Sequence, residues 1–138
     1  MDIVRRNTDY ALRLMVNLAK NYGKGPVSTR SAAGEEDVPY QLACKLMQRL
    51  NKAKLVESCM GPKGGFALGR EPSKISLLEV VESIQGPISI NRCFLSVQTC
   101  PRHKRCAVKT KLAGIQEGIS SGLANITFDD LVGGRTTK

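Results

Sequence analysis

Three cysteines lie within fourteen residues in the second half of this 138-residue sequence, at Cys93, Cys100 and Cys106. The segment from 92 to 111 that contains them carries six basic residues and no acidic one: Arg92, Arg102, Lys104, Arg105, Lys109 and Lys111. Nearby cations favour the thiolate, and the thiolate is the form of cysteine that binds metals and clusters. Pro101 and the close thiol spacing favour a loop. The segment therefore predicts a cysteine-based metal, cluster or redox site.

Three kinds of site are compatible with these thiols. Zinc bound by the three cysteines and His103 would have four ligands, but the C-x2-4-C pair common in zinc sites is absent. Three thiols without a metal could act as a redox switch. An iron–sulfur cluster would add negative charge that the surrounding cations offset, and it would need a fourth ligand. The spacing alone does not decide among the three.

The overall composition favours a soluble protein that binds a polyanion. The 21 basic and 12 acidic residues give a formal charge of +9, and 41% of the residues are hydrophobic, enough to bury the core of a single domain. Aromatic residues make up 4% and tryptophan is absent, which argues against base-stacking proteins of single-stranded nucleic acid. A protein that binds duplex phosphates needs no aromatic rings.

Other classes of protein are disfavoured. The apolar stretch at 11–19 is interrupted by Arg13 and Asn17 and is shorter than the roughly 20 residues of a membrane span. We find no signal peptide, so a cytoplasmic protein without membrane association is predicted. Five cysteines, an odd number, do not suit a disulfide framework. With one histidine, no readable nucleophile–base pair and no phosphate-binding motif, an enzyme is not expected.

The first half of the sequence predicts a helix-turn-helix. A first helix is predicted from a cap near Asn7 or Thr8, with an apolar stripe at Ala11, Met15, Leu18 and Tyr22. Ser28 can cap a short second helix, a turn follows at 35–37, and Pro39 suits the first position of a third helix. The outer face of this third helix shows amides, cations and a thiol at Gln41, Cys44, Lys45, Gln48, Arg49 and Lys52. Such a face is typical of a DNA-recognition helix, although a merely solvated face is the alternative.

A β-hairpin is predicted directly after the third helix. Residues 55–60 and 66–70 read as strands, and the glycine-rich residues 61–65 form the turn between them. A hairpin at this place is a wing, with Lys63 at its tip. The predicted DNA-binding residues are Ser28, Tyr40, Gln41, Lys45, Gln48, Arg49, Lys52, Lys63 and Gly64.

The second half predicts two more helices and a terminal turn. Ser76 and Glu79 form a capping box for a helix that ends at Gly86. A helix from about Lys104 carries an apolar seam at Val108, Leu112, Ile115 and Ile119, and a single exposed helix cannot bury that seam, so a second copy of the chain is expected to cover it. Gly114, Gly118 and Gly122 either permit close helix contact, which is favoured, or leave the helix bent and frayed. Thr127 and Asp130 cap a last short turn.

The predicted fold class is mainly α with a small β-hairpin. We expect a winged helix-turn-helix domain at 1–75, a connecting helix at 76–90, a cysteine-containing loop at 91–106, a dimerisation helix with the terminal turn at 107–132, and a tail at 133–138.

Four stretches carry a family resemblance. They are Thr8-Asp9-Tyr10-Ala11-Leu12-Arg13; Leu46-x-x-Arg49-Leu50-x-Lys52-x-x-Leu55-Val56; Gly61-Pro62-Lys63-Gly64-Gly65-Phe66-x-Leu68-x-Arg70; and Asn125-Ile126-Thr127 with Leu131. Together with the three cysteines they resemble the IscR/NsrR-type winged-helix regulators of the Rrf2 family. The resemblance implies a homodimer crossed through the long helix, a palindromic DNA operator, and an iron–sulfur cluster bound by the cysteine loop.

The resemblance also suggests the fourth cluster ligand. Iron–sulfur assembly regulators offer a histidine three residues after the last cysteine, where this chain has Lys109, a poor ligand while charged. Nitric-oxide-sensing relatives use an aspartate of the partner subunit's first helix, and Asp9 lies in the matching context. Asp9 is therefore preferred to His103, and its alternative role is to stabilise the first helix through the helix dipole. A 4Fe–4S cluster is favoured over 2Fe–2S, and it can be lost from protein handled in air.

The cysteines of this sequence differ from the family pattern in two further places. The first gap of the loop has six residues where well-known members have five, so the loop can fold differently. Cys44 stands where the assembly regulators have a glutamate that helps to discriminate operators.

The function expected from the resemblance is a dimeric repressor or dual regulator whose operator affinity follows an iron–sulfur cluster that responds to redox, nitric oxide or iron status. The alternative is a cluster-free regulator controlled by a partner protein or by thiol oxidation.

Overall fold

The computed structural model describes residues 3–90 and 106–133. In these two ranges the chain forms six α-helices and one hairpin, which agrees with the mainly α class predicted. The elements are α1 (Arg6–Lys20), α2 (Thr29–Glu36), α3 (Tyr40–Lys52), β1 (Val56–Cys59), β2 (Gly65–Leu68), α4 (Leu77–Gln85), α5 (Ala107–Ala124) and α6 (Phe128–Val132), with a 3-10 turn at Pro72–Lys74.

Helix α1 lies at the centre of the core. Its residues Ala11, Leu14, Met15 and Leu18 are at most 1% exposed, as their helical spacing predicts. The helix contacts α2, α3, α4 and α6. Its end differs from the prediction, because the helix ends at Lys20 and Tyr22 is left exposed.

The start of α1 also differs from the prediction. The N-cap is Arg5, whose side chain makes no capping hydrogen bond, whereas Thr8 lies inside the helix and is fully buried. The Oε1 atom of Gln85 accepts from the Arg5 backbone N–H over 3.0 Å and from the Thr8 hydroxyl over 2.7 Å. Gln85 Nε2 donates to the Ile3 carbonyl oxygen over 2.7 Å. A side chain at the end of α4 thus supplies the cap that sequence reasoning sought locally.

Helices α2 and α3 form the helix-turn-helix. Ser28 caps α2 as predicted, because its Oγ accepts from the Ser31 backbone N–H over 3.0 Å. The turn contains Asp37 in the left-handed conformation, with φ of 56°, a region that aspartate tolerates better than most residues. Pro39 is the N-cap of α3 and not its first residue, so the helix begins one residue later than predicted. Four side chains fix α3 to the core: Ala43, Leu46, Met47 and Leu50.

The hairpin is the predicted wing, slightly shorter at both strands. The strands pair antiparallel in a register that runs from Val56 opposite Leu68 to Cys59 opposite Gly65. Val27 and Phe66 exchange two backbone hydrogen bonds of 2.8 Å, which attach the wing to the chain before α2. A Cβ atom at Gly65 would collide with the Val27 carbonyl group. Only glycine therefore fits where the wing approaches this segment.

The chain after the wing returns to the same core. Ser76 and Glu79 form the predicted capping box of α4, and Thr127 and Asp130 form the same reciprocal cap at α6. Phe128 of α6 is fully buried, in one cluster with the α1 side chains. Helix α6 therefore packs on the winged-helix unit although it follows α5 in the chain.

Helix α5 buries no residue within this chain. Val108 is 61% exposed and Ile115 is 57% exposed. A Cβ atom built at Gly114, Gly118 or Gly122 would meet no heavy atom within 4 Å apart from the helix itself. Two residues of the apolar seam, Val108 and Ile115, are thus exposed in the single chain, whereas Leu112 and Ile119 are half-buried within it. Burial of the seam by a second copy stays a prediction.

None of the helices within 3–90 and 106–133 has the length and apolar character needed to cross a membrane.

Candidate nucleic-acid interface

The exposed face of α3 is a stripe of amides and cations. Gln41, Lys45, Gln48 and Lys52 follow one another at spacings of four, three and four residues, and all four are exposed. Because a helix turns once every 3.6 residues, they share one side of α3, opposite the four buried residues. We call these four residues the reading stripe. The core thus fixes the orientation in which α3 presents hydrogen-bonding groups to solvent.

Arg49 lies at the edge of the reading stripe and contacts α4. Its Nη2 atom donates a hydrogen bond to the Ile84 carbonyl oxygen over 2.6 Å. Arg49 is one of the predicted DNA-binding residues, and the structure joins its guanidinium to the last turn of α4. The bond uses one of the five N–H groups of the guanidinium, so the others stay free for a further partner.

The ring of Tyr40 contacts Arg30, a residue that sequence reasoning missed. The guanidinium carbon of Arg30, in the first turn of α2, lies 4.1 Å from the centre of the Tyr40 ring, and both residues are exposed. Such stacking is a cation–π contact. It places a positive charge beside the start of α3 and beside Ser28. The signal in the sequence was a basic residue two positions after the α2 cap.

The wing presents Lys63 and Met60 to solvent. Lys63 is exposed at the turn, and Met60 is 94% exposed. Gly64 donates its N–H to the Gly61 carbonyl oxygen over 2.9 Å, and a Cβ atom at Gly64 would collide with the Cys59 carbonyl oxygen. The turn therefore needs glycine at 64, so Gly64 shapes the wing tip. Sequence reasoning did not single out Met60.

Two cysteines of the winged-helix unit have half-buried thiols that are free of disulfides. Cys44 lies on α3 between the buried side and the reading stripe, and Cys59 ends β1. For Cys59, partial burial is compatible with a small residue packed in the wing. For Cys44, it leaves the thiol beside the reading stripe.

Of the residues predicted to bind a cluster, the structure describes Cys106 and Asp9. Cys106 is the N-cap of α5, half-buried and not in a disulfide. Cys93, Cys100 and His103 lie outside the described residues. Within the described part of the chain, no group of three or more His, Cys, Asp or Glu side chains converges as a metal site. A cluster site would therefore need residues of the cysteine loop at 91–106 that lie outside the described ranges.

Asp9 is exposed in the first turn of α1. Its carboxylate forms an ion pair with Arg13 of 3.0 Å, and the two side chains are 51% and 44% exposed. Arg13 also contacts the Tyr10 ring and donates to the Glu36 carbonyl oxygen over 3.2 Å. The position agrees with the helix-dipole role, and it also leaves one face of the carboxylate open to another molecule.

The chain that leads into the cysteine loop is held by α5. The Gln116 amide donates to the Ile88 carbonyl oxygen and accepts from the Ile90 N–H over 2.9 Å. Arg49 of α3 binds the Ile84 carbonyl oxygen at the end of α4, just before this segment. The residues next to the loop are thus linked to both the long helix and the recognition helix.

Comparison with known proteins identifies relatives along nearly the whole chain. A family model described as "Rrf2: Iron-dependent Transcriptional regulator" matches residues 4–134. The "HTH-type transcriptional regulator IscR" of Sodalis glossinidius is 31% identical over 123 residues, which are 89% of this chain and 74% of that protein.

Solved structures agree with the fold. The structure of CymR, described as the global cysteine regulator of B. subtilis, has a TM-score of 0.79 and 28% identity, and the match covers 96% of this chain and 98% of that one. The structure of IscR from T. potens has a TM-score of 0.78 and 26% identity, and it covers 94% and 85% of the two chains. These matches confirm the predicted winged-helix fold and the family resemblance, and the relatives are transcriptional regulators, not enzymes.

Proposed function

Because the chain belongs to the Rrf2 family of iron-dependent transcriptional regulators, we propose that it is a homodimeric repressor or dual regulator that binds a palindromic operator. The observation that carries this proposal is the reading stripe, an exposed row of amides and cations on a helix whose opposite side is fixed in the core. Amide and lysine side chains are suited to hydrogen bonds with base edges in the major groove. The charge of +9 suits the DNA backbone.

Each element of the winged-helix unit has a role in this proposal. Gln41, Lys45 and Gln48 read base edges in the major groove. Lys63 of the wing reaches the backbone or the minor groove, and Lys52 and the residues around the α2 cap meet phosphates. The predicted boundaries at 1–75, 76–90, 91–106, 107–132 and 133–138 assign DNA binding to the first unit and dimerisation to the fourth.

Dimerisation through α5 is supported by its exposed apolar side chains. Val108 and Ile115 are more than half exposed in the single chain, and exposed apolar side chains that repeat along one helix are typical of a helix–helix interface. The open glycines at 114, 118 and 122 leave room for a second helix to approach closely. Two copies paired in this way would present two recognition helices to a palindrome.

The cysteine loop supplies the regulatory site in this proposal. Cys93, Cys100 and Cys106 would hold an iron–sulfur cluster, because three thiols in a basic segment suit a negatively charged iron–sulfur group. The free thiol of Cys106 at the start of α5 is compatible with this role. Asp9 of the partner subunit is the preferred fourth ligand and His103 the second choice, and 4Fe–4S is preferred to 2Fe–2S. A bound cluster would supply a group that responds to oxygen, nitric oxide or iron supply.

The described contacts suggest how the loop acts on DNA binding. Gln116 fixes residues 88 and 90 on α5, and these residues follow directly on the α4 end that Arg49 binds. A change in the loop can therefore reach α3 through one short segment of backbone. We expect such a change to alter the spacing of the two recognition helices in the dimer.

A cluster-free regulator is the second candidate. The similarity to CymR structures, of which one from Staphylococcus aureus is described as an oxidized form, favours it, since thiol oxidation is one way to control such a regulator. In this case the thiols or a partner protein would control DNA binding without iron. Either candidate acts on DNA, and we place the protein in the bacterial cytoplasm.

Selection of duplexes from a random-sequence library tests the DNA-binding proposal. The full chain should enrich a palindrome with half-site centres about 34 Å apart, one helical turn of DNA. Lys45→Gln and Gln48→Ala should weaken binding to the selected duplex, whereas Glu82→Gln, an exposed change on α4, should not. Enrichment of no sequence, or of a single unpaired half-site, would contradict the proposal.

A further inference from the structure

A cleft of about 340 Å³ lies where the start of α1 meets the end of α4 and the edge of α3. Its lining includes Arg5, Arg6, Thr8, Arg49, Ile84 and Gln85. None of them belongs to the wing or to the reading stripe. The cleft therefore adjoins the predicted DNA-binding surface through Arg49, and its other lining residues are not among those predicted to bind DNA.

The cleft is strongly positive. Arg5, Arg6 and Arg49 contribute three guanidinium groups, and no acidic residue lines it. Arg5 and Arg6 are exposed, and neither forms an ion pair within residues 3–90 and 106–133. Cations gathered without a carboxylate repel one another, so an anion between them would be stabilised. Arginine is the side chain best suited to bind a phosphate through two parallel hydrogen bonds.

The walls of the cleft are held in place without a ligand. Arg49 is fixed by its 2.6 Å hydrogen bond to the Ile84 carbonyl oxygen. Gln85 joins the Arg5 backbone and the buried Thr8 hydroxyl through one oxygen, so the start of α1 cannot move freely from the end of α4. A site whose groups are already ordered loses less conformational entropy on binding.

The cleft borders the surface that we assign to DNA. Arg49 lies four residues after Lys45 and three residues before Lys52, and both lysines belong to the reading stripe. A duplex whose major groove receives α3 therefore brings the adjoining sugar–phosphate backbone towards this edge of the helix. We propose that the cleft binds a phosphodiester group of duplex DNA beside the groove that α3 enters. The inference rests on the proposed function and adds a sequence-independent contact to it.

The test measures how DNA binding depends on salt in the full chain. Arg5→Gln and Arg6→Gln remove one charge each and leave the Arg5 backbone hydrogen bond intact. Lys20→Gln is the matched control, because it removes an exposed charge at the other end of α1. The probes are a duplex selected by the wild-type chain and a duplex of mixed sequence.

We expect each arginine variant to reduce the slope of log affinity against log salt by up to about 0.9, the value for one neutralised phosphate. Affinity should fall roughly tenfold for both duplexes alike, since a phosphate contact carries no sequence information. Lys20→Gln should leave the slope and the preference between the two duplexes unchanged.

Other results overturn the inference. If wild type binds its selected duplex but Arg5→Gln and Arg6→Gln behave as Lys20→Gln does, the cleft contacts no phosphodiester although the proposed function stands. If inorganic phosphate protects the wild type from thermal unfolding and the arginine variants do not respond, yet the salt slopes are equal, the cleft is a small-anion site only. If wild type binds no duplex, the proposed function and the inference both fail.

Discussion

The guanidinium of Arg49, on the recognition helix, donates a 2.6 Å hydrogen bond to the carbonyl oxygen of Ile84, in the last turn of α4. These residues are 35 positions apart in the chain. The bond satisfies a carbonyl group near the C-terminus of α4, where a helix lacks partners of its own and where a positive charge is favourable. Arg49 therefore connects α3, the proposed recognition helix, to the segment that leads into the cysteine loop.

Arg49→Gln should lower both the stability of the fold and the response of DNA binding to the cysteine loop. The shorter amide does not reach Ile84, and loss of one part-buried hydrogen bond from a charged donor costs about 1.5–3 kcal/mol. Urea unfolding measures the loss of stability. The matched control is Lys45→Gln, which removes a charge from the reading stripe and should leave the free energy of unfolding within about 0.5 kcal/mol of wild type. Equal stabilities for the two variants would show that the Arg49 bond is not structural.

Gln85→Leu should destabilise the protein more strongly than a surface change on the same helix. The substitution removes the partners of the Ile3 carbonyl group, the Arg5 N–H and the Thr8 hydroxyl, and a buried hydroxyl without a partner costs about 1–3 kcal/mol. Thermal or urea unfolding measures the loss.

The control for Gln85→Leu is a double-mutant cycle with Thr8→Val. Removing the hydroxyl as well as the amide should recover part of the stability, because no buried polar group is then left unpaired at residue 8. Simple additivity of the two substitutions would contradict the role we assign to Gln85.

Ile115→Glu should convert the protein from dimer to monomer. Ile115 is 57% exposed in the single chain, so the glutamate causes no strain within one copy, but its charge would be buried in a helix–helix interface. Sedimentation analysis of wild type and variant measures the mass. Glu117→Lys changes a charge that the same helix already carries at an exposed position, so it is the control and should stay dimeric. A monomeric wild type, or a dimeric Ile115→Glu protein, would exclude α5 as the interface.

The sequence predicts those features of the fold that depend on a few neighbouring residues. Ser28, the Ser76–Glu79 pair and the Thr127–Asp130 pair cap their helices as expected, because a cap satisfies backbone groups within three residues of itself. The glycine-rich wing was predicted for the same reason.

The features that sequence reasoning missed depend on distant residues. The start of α1 is capped by Gln85, 80 positions away from Arg5, and no local pattern distinguishes that glutamine from a solvated one. Arg49 has the spacing of a DNA contact, yet α4 passes beside it. Phe128 follows the long helix and nevertheless joins the core around α1. Such contacts are fixed by the packing of whole elements.

The candidate site was predicted unevenly for the same reason. The reading stripe follows from helical periodicity, and all four of its residues are exposed. Arg30 was missed because its contact with Tyr40 joins two helices. The cysteine trio, with Asp9 or His103 as fourth ligand, stays a prediction from residue type, spacing and resemblance.

The proposed regulation of DNA binding depends on an iron–sulfur group that Cys93, Cys100 and Cys106 would hold. The most direct measurement is the iron and sulfide content, visible spectrum and affinity for the selected duplex of protein purified without oxygen. Wild type is compared with a variant in which these cysteines are serine, with Asp9→Ala and His103→Ala to identify the fourth ligand and with Cys59→Ser as control.

We expect a coloured, iron-containing wild type whose affinity changes on cluster loss, a colourless triple variant fixed in one affinity state, and a Cys59→Ser protein like wild type. A colourless, iron-poor wild type that binds the duplex as tightly as the triple variant does would contradict the proposed regulation.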